Sequence, residues 1–407
     1  MIAAGGLILG GCGAGELTVV TPPPPPTTDL TLVLQPLAED AAIAAFLGWS
    51  LGIPDAEIVI TPLASNTSPT TVRSNGNGQV VVNLPAGDYE LWASRWLNLD
   101  ERSATPAIEG VTGWVTRVGR RLSASGTVVL DLSASRRRSL LVSEWWFNDR
   151  IDHVLGASYP WGGYIEFVNN SDTTIFLDGI VIGRAISPTF DNPAAPCAGF
   201  ASLSLDPSGV WIGWSDTFPG NGTDYPLMPG ELVVVATDAI DHGEIVADGP
   251  DLRDADFESM GSGDVDNPAV PNMVGSGPSG WSGQGMNFPS TNGVLVLALP
   301  VDVASLPTAV NPYGANIFAR IPGAAILDVV SHMTNLNPPF PLCNQLVATV
   351  FDRGYTTDLQ RYGEEQVRYP FALHRALTRP GSGPAYYQFT RSSATDFVVA
   401  QRSPGLP

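Results

Sequence analysis

The chain has 407 residues, enough for two or three domains at roughly 100–200 residues each. Apolar residues make up 44% and charged ones 15%, which excludes a disordered polyelectrolyte. The 43 Gly and 36 Pro exclude long uninterrupted helices, since both residues break them. Twenty basic residues against 40 acidic ones leave a net charge of −20, which repels phosphate backbones and argues against a nucleic-acid partner. All 20 basic residues are Arg. Walker-A loops, protein-kinase sites and Schiff-base chemistry need a lysine amine and are excluded with it.

Residues 1–11 are apolar or small and run into Leu9-Gly10-Gly11-Cys12. That pattern resembles a bacterial lipobox, which implies lipidation of Cys12 and a start lying inside a longer signal peptide. Eleven apolar residues are too short to span a bilayer as a helix. Pro22 to Pro26 follow in one run, and such a run forms a semi-rigid polyproline II stalk. Residues 1–27 therefore read as lipoprotein leader and tether. The Gly13 that follows the cysteine implies, under the sorting rule that goes with the resemblance, the outer membrane, facing periplasm or exterior. Cys197 and Cys343 remain. In an oxidising compartment they either pair or stay as two unrelated buried thiols.

Residues 28–135 read as a first β-sandwich. Apolar and polar residues alternate in TDLTLVLQPL, and 38–48 is the one Ala-rich stretch with helical character. Strand, turn, strand follow through IPDAEIVITPL, TVRSNGNGQVVVNLP and AGDYELWASRW, with Asn75-Gly76-Asn77-Gly78 supplying the positive-φ residues of a tight hairpin. GVTGWVTRVGR and GTVVLDLS add a further pair. The segment over about 50–98 resembles the carboxypeptidase-regulatory-like immunoglobulin-type sandwich, and no catalytic pattern lies in it. Arg136-Arg137-Arg138 marks the junction, either a solvated link or a contact for acidic lipid or polysaccharide.

Residues 139–407 read as a second sandwich with long loop insertions. Tyr164-Ile165-Glu166-Phe167-Val168 alternates as a strand, Asn169 to Asp172 turns, and Thr174 to Leu177 returns. This stretch resembles the lamin-tail immunoglobulin-like sandwich, with MPGELVVVATDAIDH, GVLVLALPVD and AAILDVVSH as its later strands. DLRDADFE, DVDNPAVPNMV and SSATDF resemble an uncharacterised family, a domain of unknown function, of Gram-negative surface lipoproteins. The resulting expectation is an all-β chain of two immunoglobulin-like sandwiches in tandem.

Nucleophile motifs are missing: Gly280-Trp281-Ser282-Gly283-Gln284 lacks the last glycine of an elbow, and His153, His242, His332 and His374 form no metal-binding pair on one helix. Carboxylates crowd 238–266, and Asp248, Asp251, Asp254, Asp256, Asp264 and Asp266 are candidate Ca²⁺ ligands, with turn-capping acids as the alternative. No other cofactor is implied. Glu144 and Glu166 stand on neighbouring expected strands beside aromatic residues, a pair able to cleave glycosides or to pin the sheet. Trp145, Trp161, Trp214 and Trp281 lie near loop residues and are candidate ligand-contact faces; Trp211 and Trp214, three apart, point to opposite faces of a strand, one core and one outside. These readings favour a non-catalytic, lipid-anchored binding, docking or scaffold module with a protein or glycan partner. The alternatives are a metal- or carboxylate-dependent hydrolase of surface polysaccharide or peptide, and an adhesin or accessory subunit of an outer-membrane transporter.

Overall fold

The computed structural model describes residues 27–63, 68–103, 108, 110–122, 125–146, 151–152, 157–158, 162–187, 196–245, 249–259, 266–277, 292–333, 343–356, 371–378 and 385–405. The chain is all-β: strands dominate, and the longest described helix, Cys197–Ser204, has eight residues.

Seven strands form the first unit, in the spatial order Thr70–Arg73, Glu57–Pro62, Gly87–Trp96, Val111–Leu122, Gly126–Arg136, Thr27–Pro36, Gln79–Pro85. Alternation sets their faces. Leu30, Leu32 and Leu34 are buried on the Thr27–Pro36 strand, and with Ile58, Ile60, Leu91, Ala93 and Trp114 they build one core. The Ala-rich stretch forms a 3-10 turn, Ala38–Asp40, and one short helix, Ala41–Phe46.

The Asn-Gly turn departs from the hairpin expectation. Its flanking strands, Thr70–Arg73 and Gln79–Pro85, are not paired with each other but lie at opposite ends of the strand path. Residues 74–78 reach at most about 20 Å, so the two ends sit near each other and the sheet wraps round its core. The turn itself is tight: Gly78 N–H donates to Asn75 O at 2.9 Å, and Asn75 Oδ1 accepts from the N–H of Asn77 and Gln79.

Two sheets make the second unit. One has the order Phe257–Glu258, Leu232–Ala236, Tyr164–Asn169, Leu140–Trp146, Phe371–Arg375, Phe397–Gln401. The other runs Thr308–Val310, Ile317–Pro322, Gly209–Thr217, Val181–Ala185, Asn292–Ala298, Ile326–Met333, with Val274–Gly275 alongside Gly209–Thr217. Between them lies a core of Val142, Trp145, Ile165, Phe167 and Val235 from the first sheet and Ile182, Trp214, Leu295, Leu297 and Val330 from the second. The second sheet is covered on its other face as well, where Val210, Ile212, Val294, Val296 and Ile321 pack on Leu346 and Val347. Burial on both sides explains why its strands read as continuous apolar runs. Cys197 and Cys343 are joined by a disulfide there, with Cα atoms 5.8 Å apart, which staples the Cys197–Ser204 helix to the 343–356 segment.

The units meet through backbone and charge. Arg136 N–H donates to Phe389 O at 2.8 Å, Arg117 Nη1 to Phe397 O at 2.9 Å, and Glu39 accepts from both Arg353 and Arg391.

Candidate functional site

Glu144 and Glu166 are direct cross-strand partners, and His374 stands opposite Glu144 on the next strand. One rung across the six-stranded sheet thus reads Val234, Glu166, Glu144, His374, Val398. Strand alternation accounts for it. Ile165, Trp145 and Leu373 point into the sandwich core, so their neighbours in the chain occupy the outer face. Facing carboxyls on adjacent strands sit about 5 Å apart at Cβ.

This outer face is not open to solvent. Glu144 is 1% and Glu166 2% exposed. A register shift between Glu166 and Phe167 places Ser143 as the extra residue, and its Oγ donates to Glu166 Oε1 at 2.6 Å. Tyr164 OH donates to Glu144 Oε1. The C-terminal segment then closes the rung: Ser403 N–H and Oγ donate to Glu144 at 2.9 and 3.1 Å, and Gly405 N–H donates to Glu166 Oε2 at 2.9 Å. His374 Nδ1 lies 3.3 Å from Glu144 Oε2. Burial pushes the Glu166 carboxyl up to about 7, against the hydrogen bonds from Ser143 and Gly405. Burial followed by the fields of Glu166 and Glu144 pushes the nearby Tyr387 phenol up to about 12. Glu166 is the proton-holding member of the rung, with Tyr164 bonded to Glu144 and Tyr387 within the field of both carboxyls.

The tryptophan expectation is corrected. Trp145, 1% exposed, and Trp214, 4% exposed, both pack in the sandwich core and present no free ring. Trp211 is buried too, beneath the Cys197–Ser204 helix with Phe200 and Phe318, and the register shift that makes Gly213 an extra residue breaks the alternation, so that Trp211 and Trp214 share the face opposite Val210 and Ile212. Trp161 and Trp281 lie outside the described residues. Half-exposed tryptophans do occur in the first unit, where Trp92 and Trp96 line a cleft of about 500 Å³ with Arg73, Arg95 and Glu57. The signal for Trp92 was present in the alternation, since Leu91 and Ala93 point into the core and Trp92 lies between them.

In the acidic loop, no group of three or more His, Cys, Asp or Glu is gathered to hold a metal ion among the described residues. Asp251 pairs with Arg253, Asp256 Oδ2 accepts from Val234 N–H at 2.8 Å, Asp266 Oδ1 accepts from Asn272 Nδ2 at 2.8 Å, and Asp254 is exposed. Their oxygens serve the protein's own donors. Asp248, Asp264 and Cys12 lie outside the described residues. Among the described residues no helix is long and apolar enough to cross a membrane.

The phrase SSATDF, which carried part of the resemblance, forms a buried polar knot. Asp396 accepts from Thr390 N–H and Oγ1 and from Gln388 Nε2, and Arg375, paired with Asp328 and Asp396, donates to Val142 O at 2.7 Å. Ser393 Oγ donates to the buried Asp352.

No family model matches the chain, and no curated protein matches it. Among solved structures, the crystal structure of a DUF4876 family protein from Bacteroides thetaiotaomicron VPI-5482 is similar, with a TM-score of 0.53 and 18% identity over 91% of this chain and 94% of that one. At that identity the likeness is one of fold.

Proposed function

We propose that the protein is a non-catalytic binding and docking module, tethered through a lipid on Cys12 and the Pro22–Pro26 stalk at the outer membrane. In this reading the first unit is a carboxypeptidase-regulatory-like sandwich, the second a lamin-tail-like one with insertions, and the chain belongs with the uncharacterised DUF4876-type surface lipoproteins. The fold likeness over nearly the whole of both chains supports that assignment. The observation that carries the non-catalytic reading is the closed rung: the facing carboxylate pair Glu144 and Glu166 is buried, and both its members are engaged by Ser143, Tyr164, Ser403 and Gly405. Co-purification of the full-length protein from detergent tests the docking role. A partner protein or glycan recovered in fixed ratio is the expected result; recovery of the protein alone every time contradicts it.

One observation favours a second reading, a hydrolase acting on surface polysaccharide. Glu166, raised to about 7, faces Glu144, and a carboxyl that keeps its proton near neutrality beside a second carboxyl is the arrangement an acid-and-base pair starts from. That reading requires the Ser403–Gly405 segment to leave the rung.

A further inference from the structure

The two units enclose a cleft of about 780 Å³ at their junction, within the usual range of roughly 300–1,000 Å³ for small-ligand sites. Arg102 reaches it from the short Leu99–Ser103 helix of the first unit, and Arg137, Arg138, Asp172 and Tyr386 line it from the second. In a chain of net charge −20, three guanidiniums around one cleft with a single carboxylate make a local reversal of sign.

We propose that this cleft binds an anionic saccharide, a hydroxylated ring bearing one carboxylate or phosphate. The proposal rests on the binding reading above and gives it a ligand class. Asp172 accepts from both Nη1, at 2.6 Å, and Nη2 of Arg137, its one side-chain partner among the described residues. Arg102 and Arg138 have no carboxylate within ion-pair distance among the described residues. Nε and Nη2 of Arg102 and Nε of Arg137 lie beneath the surface, so the donors that face a ligand are the remaining nitrogen of Arg102 and the guanidinium of the exposed Arg138. Arginine keeps its charge at any ordinary pH, so the cleft stays cationic. An oxyanion is the group that fits a guanidinium fork.

The forks are also held in place. Arg137 lies over the Tyr386 ring at 4.2 Å, Arg102 over the same ring at 5.6 Å, and Arg138 over Phe389 at 5.0 Å. Stacking uses the flat faces of the guanidiniums and leaves in-plane donors for a ligand. The rest of the lining selects among anions. Ser103, Ser139, Ser171 and Thr173 carry hydroxyls that both donate and accept, as sugar hydroxyls do, and Asp172 is an acceptor for a sugar hydroxyl. That carboxylate and the overall negative charge disfavour polyanions such as nucleic acid or an anionic membrane surface.

Calorimetric titration of the full chain with digalacturonate, its dimethyl ester and glucose 6-phosphate tests the proposal. The expected result is binding of the acid, the sugar phosphate or both, at least tenfold weaker binding of the ester, and at least tenfold loss in R102Q and in R138Q. D172N, which frees Arg137, is expected to bind the anion as tightly or a few-fold tighter, and its melting temperature reports that the junction still folds. Which anionic arm binds identifies the source of the charge. Equal binding of ester and acid, unchanged affinity in both arginine variants, or no heat from either anion at millimolar concentration overturns the proposal. A cleft that binds the acid in a protein that always purifies alone would leave the site standing and remove the docking role.

Discussion

Glu166 sets the pH response of the fold. Its carboxyl, ordinarily near 4.5, is raised to about 7 by burial, so between those values the folded protein keeps a proton that the unfolded chain releases. Stability from this group is complete below about pH 4.5 and is lost as pH rises through 7, up to about 3 kcal/mol. Asp216 and Asp352, each pushed up to about 6 by burial, act in the same direction. The melting temperature should therefore fall from pH 5 to pH 8, and Glu166→Gln, which holds the neutral form, should flatten that slope; a melting temperature that rises over this range contradicts the assignment. Gly78 makes a different kind of demand. Its φ is +75°, and a Cβ would meet Leu34 O at 2.6 Å and Ile53 N at 2.7 Å. Gly78→Ala should cost about 2–3 kcal/mol in denaturant unfolding, whereas Gly76→Ala, with open space around it, should cost far less.

Elements are held by a few long-range links. The Cys197–Cys343 disulfide closes a loop of 146 residues, for which the chain-entropy account gives an upper figure of about 5 kcal/mol. The double Cys197→Ser, Cys343→Ser variant should melt well below the parent, and reductant should lower the parent to the same value; equal melting temperatures with and without reductant would mean the bridge adds nothing. Arg375 pins the strand Phe371–Arg375 through Val142 O, Gln388 O, Asp328 and Asp396, all in the interior. Arg375→Met leaves two buried carboxylates without their cation and should cost about 3–5 kcal/mol, measured by urea unfolding. Much of this level was legible in the sequence. Alternation located the strand at Tyr164–Asn169, the lamin-tail resemblance those at Leu232–Ala236 and Asn292–Ala298, and the Ala-rich stretch the helix at Ala41–Phe46. What alternation does not carry is the second layer. Nothing in Val210 to Trp214 says that the preceding Cys197–Ser204 helix folds back over Trp211, and nothing in Glu144 or Glu166 says that residues 403–405 roof theirs, a cover that comes from distant chain. The same holds for Asn75–Gly78, where the local residues specify a turn but not which strands it joins. His374 passed as one lone histidine because its place beside Glu144 depends on a strand pairing more than 200 residues long in sequence.

At the scale of the whole molecule, the charge budget and the covered faces point the same way. Asp241, Asp251, Asp256, Glu258 and Asp266 accept from the protein's own donors, the described tryptophans of the second unit are interior, and the two units are joined by contacts from Arg117, Arg136, Arg353 and Arg391. Such a body offers surfaces and shallow clefts while its titratable interior stays shut. The most direct measurement is turnover of a polysaccharide and peptide library by the full-length protein beside Glu144→Gln and Glu166→Gln. The account predicts no activity that either substitution removes, with both variants folded at pH 7; hydrolysis by the parent that disappears in either variant would contradict it.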